Sequence, residues 1–276
     1  MYKLVAIDLD GTLLNSEGEV SKKNRDAINL AKEKGIEVVL CSGRITNSVK
    51  NIALDIGADK YLISGNGTEI YDIANEKVLY SNCINKNTIL DLVKYCEENS
   101  IYYSLHAENS IIAKSLNHNI LVYNSENAKK EVSKRTNINI TQNIYEYIEN
   151  SPAERFGKLT ISDGNKSIFN GIISGLQKYK DLEILDVAHM SNKTIQVGTE
   201  QIDLQYYYTE VTAKNVNKWN ALKELANMLN LKEEEIVCIG DNVNDKEMIQ
   251  NAGLRNSDGQ QCVLYKRNCW YGSRNK

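Results

Sequence analysis

The sequence predicts an α/β fold: a doubly wound parallel-sheet core interrupted by an inserted α+β module. Three observations predict it. Short apolar runs alternate with helix-spaced segments over the first part of the chain. That alternation stops after Asn82 and resumes near residue 206. Acidic and small polar residues follow directly on several of the apolar runs, where a parallel sheet presents its carboxyl end.

Leu4-Val5-Ala6-Ile7 is a short apolar run that reads as a buried strand spanning about 3–8. Asp8-Leu9-Asp10-Gly11-Thr12 follows it at once. Continued as a strand, residues i and i+2 point the same way, so Asp8 and Asp10 share one site. Gly11 permits a sharp turn, and Thr12 can bond a local backbone group. Paired carboxylates need a cation or a shared proton. This suits metal-assisted phosphoryl transfer through an aspartyl-phosphate. A calcium loop is the competing reading, but Leu13-Leu14 interrupts its ligand ladder.

Lys22–Lys34 has helical spacing and stops at Gly35. Ile36–Cys41 reads as a second buried strand, ended by Ser42-Gly43-Arg44. Ser42 and Gly43 can offer a hydroxyl and a backbone N–H to a phosphate. A helix through Ser48–Leu54 and a strand at Tyr61–Ser64 complete the first alternation. After Asn82 the pattern predicts a helix at 86–99, strands at 101–105 and 111–113, a polar middle, a strand at 158–161, a helix at 165–179 and a strand at 182–187. Parallel patterning then returns with a helix at 218–229 opened by Lys218 and a buried strand at 236–239. Gly240-Asp241-Asn242-Val243-Asn244-Asp245 follows, then a short helix at 246–251. The expected domains are a discontinuous core, 1–82 with 206–276, and an insert, 83–205.

Bulk properties bound the function. A chain of 276 residues can hold two domains, and 42% hydrophobic with 25% charged residues is ordinary for a globular protein. A net charge of −3 and the lack of a basic tract argue against nucleic acid as a partner. No apolar run suits a membrane span or a signal peptide. The six cysteines show no metal spacing and read as reduced thiols of a cytoplasmic protein. Nothing in the pattern sets an oligomeric state.

Taken together, Asp8-Leu9-Asp10-Gly11-Thr12, Ser42-Gly43-Arg44, Lys218 and Gly240-Asp241-x-x-Asn244-Asp245 resemble the four motifs of the haloacid dehalogenase superfamily. Asn66-Gly67, the Asn217-Lys218 context and the position of the insert resemble its Cof-type, sugar-phosphatase-like branch. Ser42 stands where that branch more often has Thr, which keeps the hydroxyl. The resemblance implies a Rossmann-like core with a C2-type cap. It also implies a phosphatase acting on small phosphorylated metabolites, sugar phosphates or phosphorylated cofactors. In that pattern Asp8 is the nucleophile and Asp10 the acid/base. Mg²⁺ is held by Asp8, the Asp10 backbone carbonyl and Asp241. Ser42, Gly43, Lys218 and Asn244 hold the phosphate, and Asp245 orients Lys218. Gly11 and Thr12 support the first motif, and the cap closes over the site. A phosphomutase is the alternative within the superfamily. A non-catalytic or misfolding pseudogene product is the alternative outside it.

The pseudogene reading arises at the far end. The resemblance stops after Leu254, where the branch continues with a strand like GIAMGN and a helix containing a sequence like IKEIA. Arg255–Lys276 is polar and lacks apolar periodicity. Back-translated through allowed codons and shifted by one nucleotide, the segment from Arg255 reads GIAMGNSASYIKEIA. The sequence thus points to a frameshift after Leu254. It spares every candidate site residue but removes an edge strand beside Ile236–Ile239 and its covering helix.

Overall fold

The structure is a computed structural model, and it describes residues 1–15, 17–151, 155–185, 190–197 and 199–253. Its described residues divide between two compact units: those of 1–44, 49–81 and 217–253, and those of 45–48 with 82–216. The chain re-enters the first unit at Asn217 rather than at 206. The physical reason is a long strand that stays paired in the second unit through Ala213.

The first unit is built on β1 (Leu4–Ile7), α1 (Lys22–Glu33), β2 (Glu37–Cys41), α2 (Thr46–Asp55), β3 (Tyr61–Ser64), β4 (Glu69–Asp72) and β5 (Lys77–Ser81). The second contains α3 (Lys86–Glu98), β6 (Tyr103–Ala107), β7 (Ile111–Ala113), α4 (His118–Ala128), β8 (Ile138–Ile140), α5 (Ile144–Glu149) and β9 (Phe156–Asp163). It continues with α6 (Lys166–Leu176), β10 (Leu182–Ile184), β11 (Met190–Val197) and β12 (Glu200–Ala213). The chain completes the first unit with α7 (Lys218–Met228), β13 (Ile236–Ile239) and α8 (Lys246–Asn251).

The sheet of the first unit has the order β13-β1-β2-β3-β4-β5. Its first four strands are parallel, with Leu4 opposite both Ile236 and Glu37. β4 and β5 extend it antiparallel as a hairpin the sequence pattern did not anticipate. Alternate residues of the same strands supply two cores, which is why the parallel strands read as continuous apolar runs. Leu4, Ala6, Val39 and Cys41 pack with Trp219, Leu222, Leu225 and Met248. Ile7, Val38 and Leu40 pack with Ile28, Val49 and Ala53 on the other face. The carboxyl ends of β1, β2, β3 and β13 therefore share one edge of the sheet.

The second unit has a seven-stranded sheet, β10-β12-β9-β6-β7-β8, with β11 paired to β12. It is antiparallel except between β7 and β8. One face packs Leu105, Leu159, Ile161 and Val211 against α3, α5 and α6. Residues of opposite parity, including His106, Lys158 and Thr160, make a buried polar layer on the other face. Both α4 and α5 lie in the segment that reads from sequence as a polar middle.

Among the described residues, no helix is long and apolar enough to cross a membrane. Cys41, Cys83, Cys96 and Cys238 form no disulfide among the described residues. The proposed frameshifted segment, with Cys262 and Cys269, lies outside the described residues.

Candidate active site

The first site segment is not a strand continuation. β1 ends at Ile7, and Asp8 closes it by donating its N–H to the Ile239 carbonyl at 2.9 Å. Leu9–Leu13 then forms one wide helical turn, closed by Leu13 N–H to the Asp8 carbonyl and Leu14 N–H to the Leu9 carbonyl. Asp10 and Gly11 leave helical space, with Gly11 at φ +92°. Strand alternation thus does not relate Asp8 to Asp10, because the chain has left β1 and entered the wide turn by Leu9. Asp8 is buried, whereas the Asp10 side chain is 56% exposed.

Lys218 sits at the first residue of α7. Asn217 caps that helix by accepting the Asn220 N–H at 2.7 Å. Gly67, at φ +103°, lets the turn after β3 approach this helix start. A Cβ there would lie 2.3 Å from the Asn217 carbonyl oxygen. The Lys218 side chain has no exposed surface. Its Nζ donates to Asp8 Oδ1 at 2.5 Å and to Asp245 Oδ1 at 2.7 Å. Asp245 Oδ2 accepts the backbone N–H groups of Asp241 and Asn242 at 3.1 and 3.0 Å, which fixes the loop after β13.

The electrostatics follow from burial. Desolvation pushes the Asp8 carboxyl up from 3.8 to about 7, against the pull of Lys218 and with a further push from Asp245. Burial also opposes the charge on Lys218, but Asp8 and Asp245 outweigh it and hold the ammonium above its ordinary pKa.

Carboxylate oxygens of Asp8, Asp241 and Asp245 lie within 4.8 Å of one another. Three carboxylates against one ammonium leave two formal negative charges. An all-oxygen donor set of that charge fits a hard dication such as Mg²⁺. Both Asp245 oxygens are engaged by Lys218 and backbone N–H groups, so Asp8 and Asp241 are the side chains suited to hold it. Thr12 Oγ1 donates to Asp241 Oδ1 at 2.6 Å. A Cβ on Gly11 would sit 2.3 Å from Asp241 Oδ2 and displace that carboxylate, and the Gly11 φ of +92° independently favours glycine.

The remaining candidates join through the neighbouring loops. Ser42, buried at the end of β2, accepts the Arg44 N–H at 3.2 Å. A Cβ on Gly43 would lie 2.9 Å from Asn66 Oδ1. That same oxygen accepts Asn244 Nδ2 at 2.9 Å, and Asn244 Oδ1 is buried with no hydrogen-bond partner. The structure thus links Asp8, Lys218, Asp245, Asp241 and Thr12 directly, and Gly43 to Asn244 through Asn66.

Two partners carry no role in the sequence reading. Arg44 grips the Asp10 carboxylate, and Asn66 holds Asn244 from a φ of +61°. An Arg after a strand end usually reads as surface. The signal for Asn66 was Asn before Gly in a turn, where an αL residue is tolerated. His106 and Tyr103 belong to the second unit. Tyr103 donates to Glu97, and His106 contacts Thr160.

A family model for haloacid dehalogenase-like hydrolases matches residues 5–256. This chain belongs to the haloacid dehalogenase-like hydrolases. Phosphatase YwpJ of Bacillus subtilis strain 168 is 30% identical over 264 residues, 91% of this chain and 87% of the relative. The 5-amino-6-(5-phospho-D-ribitylamino)uracil phosphatase YcsE of the same organism is 27% identical over 273 residues, 98% and 88% of the two chains. A solved haloacid dehalogenase-like hydrolase from B. subtilis superposes with a TM-score of 0.74 at 25% identity, covering 95% of this chain and 93% of the other. The enzyme class of the present haloacid dehalogenase-like chain is phosphatase.

Proposed function

We propose that the protein is a Mg²⁺-dependent phosphatase of small phosphorylated metabolites, working through an aspartyl-phosphate on Asp8. The observation that carries the reading is the buried Asp8–Lys218–Asp245 chain beside Asp241. A nucleophilic carboxylate, a fixed cation and a second carboxylate stand together at the carboxyl edge of a parallel sheet.

Asp8 attacks phosphorus, and the bond from phosphorus to the leaving oxygen breaks. The proton on Asp10 goes to that oxygen. Asp10, now a carboxylate, takes a proton from water as the water oxygen attacks the aspartyl-phosphate. The Asp8–phosphorus bond breaks, inorganic phosphate leaves, and both aspartates return to their starting forms. Lys218 offsets charge on the phosphoryl oxygens, while Ser42, the Gly43 N–H and Asn244 hold them. Asp245 keeps Lys218 in place. Asp8, Asp241 and the Asp10 carbonyl would hold Mg²⁺, which when bound would supply Lewis-acid neutralisation of the phosphoryl charge.

Sugar phosphates or phosphorylated cofactors are the substrate class. A relative named for a phosphoribitylamino-uracil supports this, and cysteines outside any disulfide fit a cytoplasmic location. The test is hydrolysis of an aryl phosphate with Mg²⁺ and with EDTA, by the wild type and Asp8→Asn. Turnover is expected only for the wild type with Mg²⁺, Asp8→Asn losing about 10³-fold or more. Folded wild type without Mg²⁺-dependent turnover would overturn the proposal.

A further inference from the structure

We propose that Arg44 is the positioning residue for Asp10, fixing the orientation of the carboxyl that serves the leaving group and the attacking water. The inference rests on the acid/base role proposed for Asp10. It starts from a contrast: the Asp10 side chain is 56% exposed, yet the Arg44 side chain that binds it is 9% exposed. Arg44 Nε donates to Asp10 Oδ2 at 2.8 Å, and Nη2 donates to Oδ1 at 2.6 Å. Each carboxylate oxygen therefore meets its own donor, in the two-point fork that only a guanidinium offers.

The fork is anchored at its base. The Arg44 N–H donates to Ser42 Oγ at 3.2 Å, and its carbonyl accepts the Gly65 N–H at 2.9 Å. The Arg44 backbone is thus tied to the ends of β2 and β3. The Asp10 side chain projects from a turn closed by Leu13 N–H to the Asp8 carbonyl and Leu14 N–H to the Leu9 carbonyl. Asp10 lies at φ −80°, ψ 110° inside the wide turn Leu9–Leu13, next to Gly11 at φ +92°, and both residues depart from helical dihedrals. An exposed carboxylate on such a turn has several staggered wells open to it. Proton transfer needs an oxygen within about 2.6–3.2 Å of the atom it serves. A misplacement of about 1 Å costs about 100-fold in rate. The anchored fork supplies the orientation that the turn lacks.

A phosphate-binding role for Arg44 is the competing assignment, and a purely structural ion pair is another. The three differ in how they respond to the leaving group. An aryl phosphate expels its phenolate without a donated proton, whereas an alkyl phosphate requires one. Both substrates still need Asp10 for attack by water. The experiment is rapid-mixing and steady-state kinetics on Arg44→Met and Arg44→Lys with Mg²⁺, using p-nitrophenyl phosphate and a primary alkyl phosphate.

For Arg44→Met, formation of the phosphoenzyme from the aryl ester is expected to stay within about 3-fold of wild type. A burst of nitrophenol followed by slowed turnover is expected, as the aspartyl-phosphate accumulates. Alkyl ester cleavage is expected to fall about 100-fold. Arg44→Lys, with one donor point in place of two, is expected to recover part of that loss. In an Asp10→Asn background, Arg44→Met is expected to cause little further loss, because the two residues act as a unit.

Equal losses on both esters without a burst, or losses that add fully to Asp10→Asn, would overturn the positioning role. So would a weakened KM and weakened inhibition by inorganic phosphate with kcat intact, which indicate phosphate binding. If Arg44→Met does not fold, the burst and ester selectivity of Arg44→Lys decide. A folded wild type without Mg²⁺-dependent turnover overturns the phosphatase reading and this proposal together. An active wild type with the outcomes above overturns this proposal alone.

Discussion

Lys218 is the largest side chain in the described structure with essentially no exposed surface, and it is charged. Such a group persists because Asp8 and Asp245 accept from it. Lys218→Met keeps the volume and removes the charge, leaving two buried carboxylates without their ammonium. The expected cost is about 3–5 kcal/mol, together with loss of turnover. Denaturant unfolding of the variant checks it, and an unchanged midpoint would refute the structural half of the assignment. Thr12 permits a milder test of the metal site. Thr12→Val removes the hydroxyl that donates to Asp241 Oδ1 while preserving shape. The Mg²⁺ concentration for half-maximal activity is expected to rise about 10-fold, with saturated turnover changed less. Activity measured across a Mg²⁺ series separates the two quantities.

At the scale of elements, legibility tracked burial. β1, β2, β3 and β13 are buried on both faces, so each appears in the sequence as an unbroken apolar run. β5 is only partly covered and its alternation is weak, so the hairpin that extends the sheet left no clear signal. Helix α4 carries Asn119, Asn124, Ser125 and Asn127, which mask its helical period. Asp8 and Lys218 are separated by 210 positions, and no local spacing could pair them. Their meeting was legible only through the combined motif pattern. The Arg44–Asp10 fork was not legible, because it depends on how the Leu9–Leu13 turn carries Asp10 away from the strand. The polar layer of the second sheet was equally silent, since its residues alternate with core residues on the same strands. That layer has a consequence for pH. Burial, and then the Lys158 charge, hold the His106 imidazole well below 6.5. Below that pH the unfolded chain binds the proton and the folded chain does not. Stability therefore falls as pH drops from 6.5 toward the folded value. His118, half-buried, is shifted in the same direction. Urea midpoints at about pH 8 and about pH 5.5 measure the slope, since both imidazoles ordinarily titrate between them. His106→Gln is expected to flatten it, and an identical slope in the variant would remove His106 as its source.

Across the whole molecule, the candidate catalytic residues lie within the first unit and within the residues matched by the family model. Chemistry and robustness separate there. The loop after β13 is complete by Asp245, but β13 is the edge of its sheet among the described residues. Its outer side meets the chain again at Gly253, whose N–H donates to the Ile236 carbonyl at 2.9 Å. A parallel strand at a sheet edge leaves backbone groups unpaired and invites association. We propose that a one-nucleotide shift after Leu254 displaces a further strand and helix from this point. A version of the protein carrying GIAMGNSASYIKEIA from position 255 tests this directly. A strand added beside β13, with its helix, would bury apolar side chains at a periodic spacing that Arg255–Lys276 lacks. The restored protein is expected to melt about 5 °C higher or more and to show less concentration-dependent aggregation. Its dependence on Mg²⁺ and on Asp8 should be unchanged, because no residue proposed for the chemistry lies beyond Asp245. Equal melting temperatures and equal solubility would show that β13 is already adequately closed. Codons after Leu254 that cannot encode the shifted peptide would remove the frameshift itself.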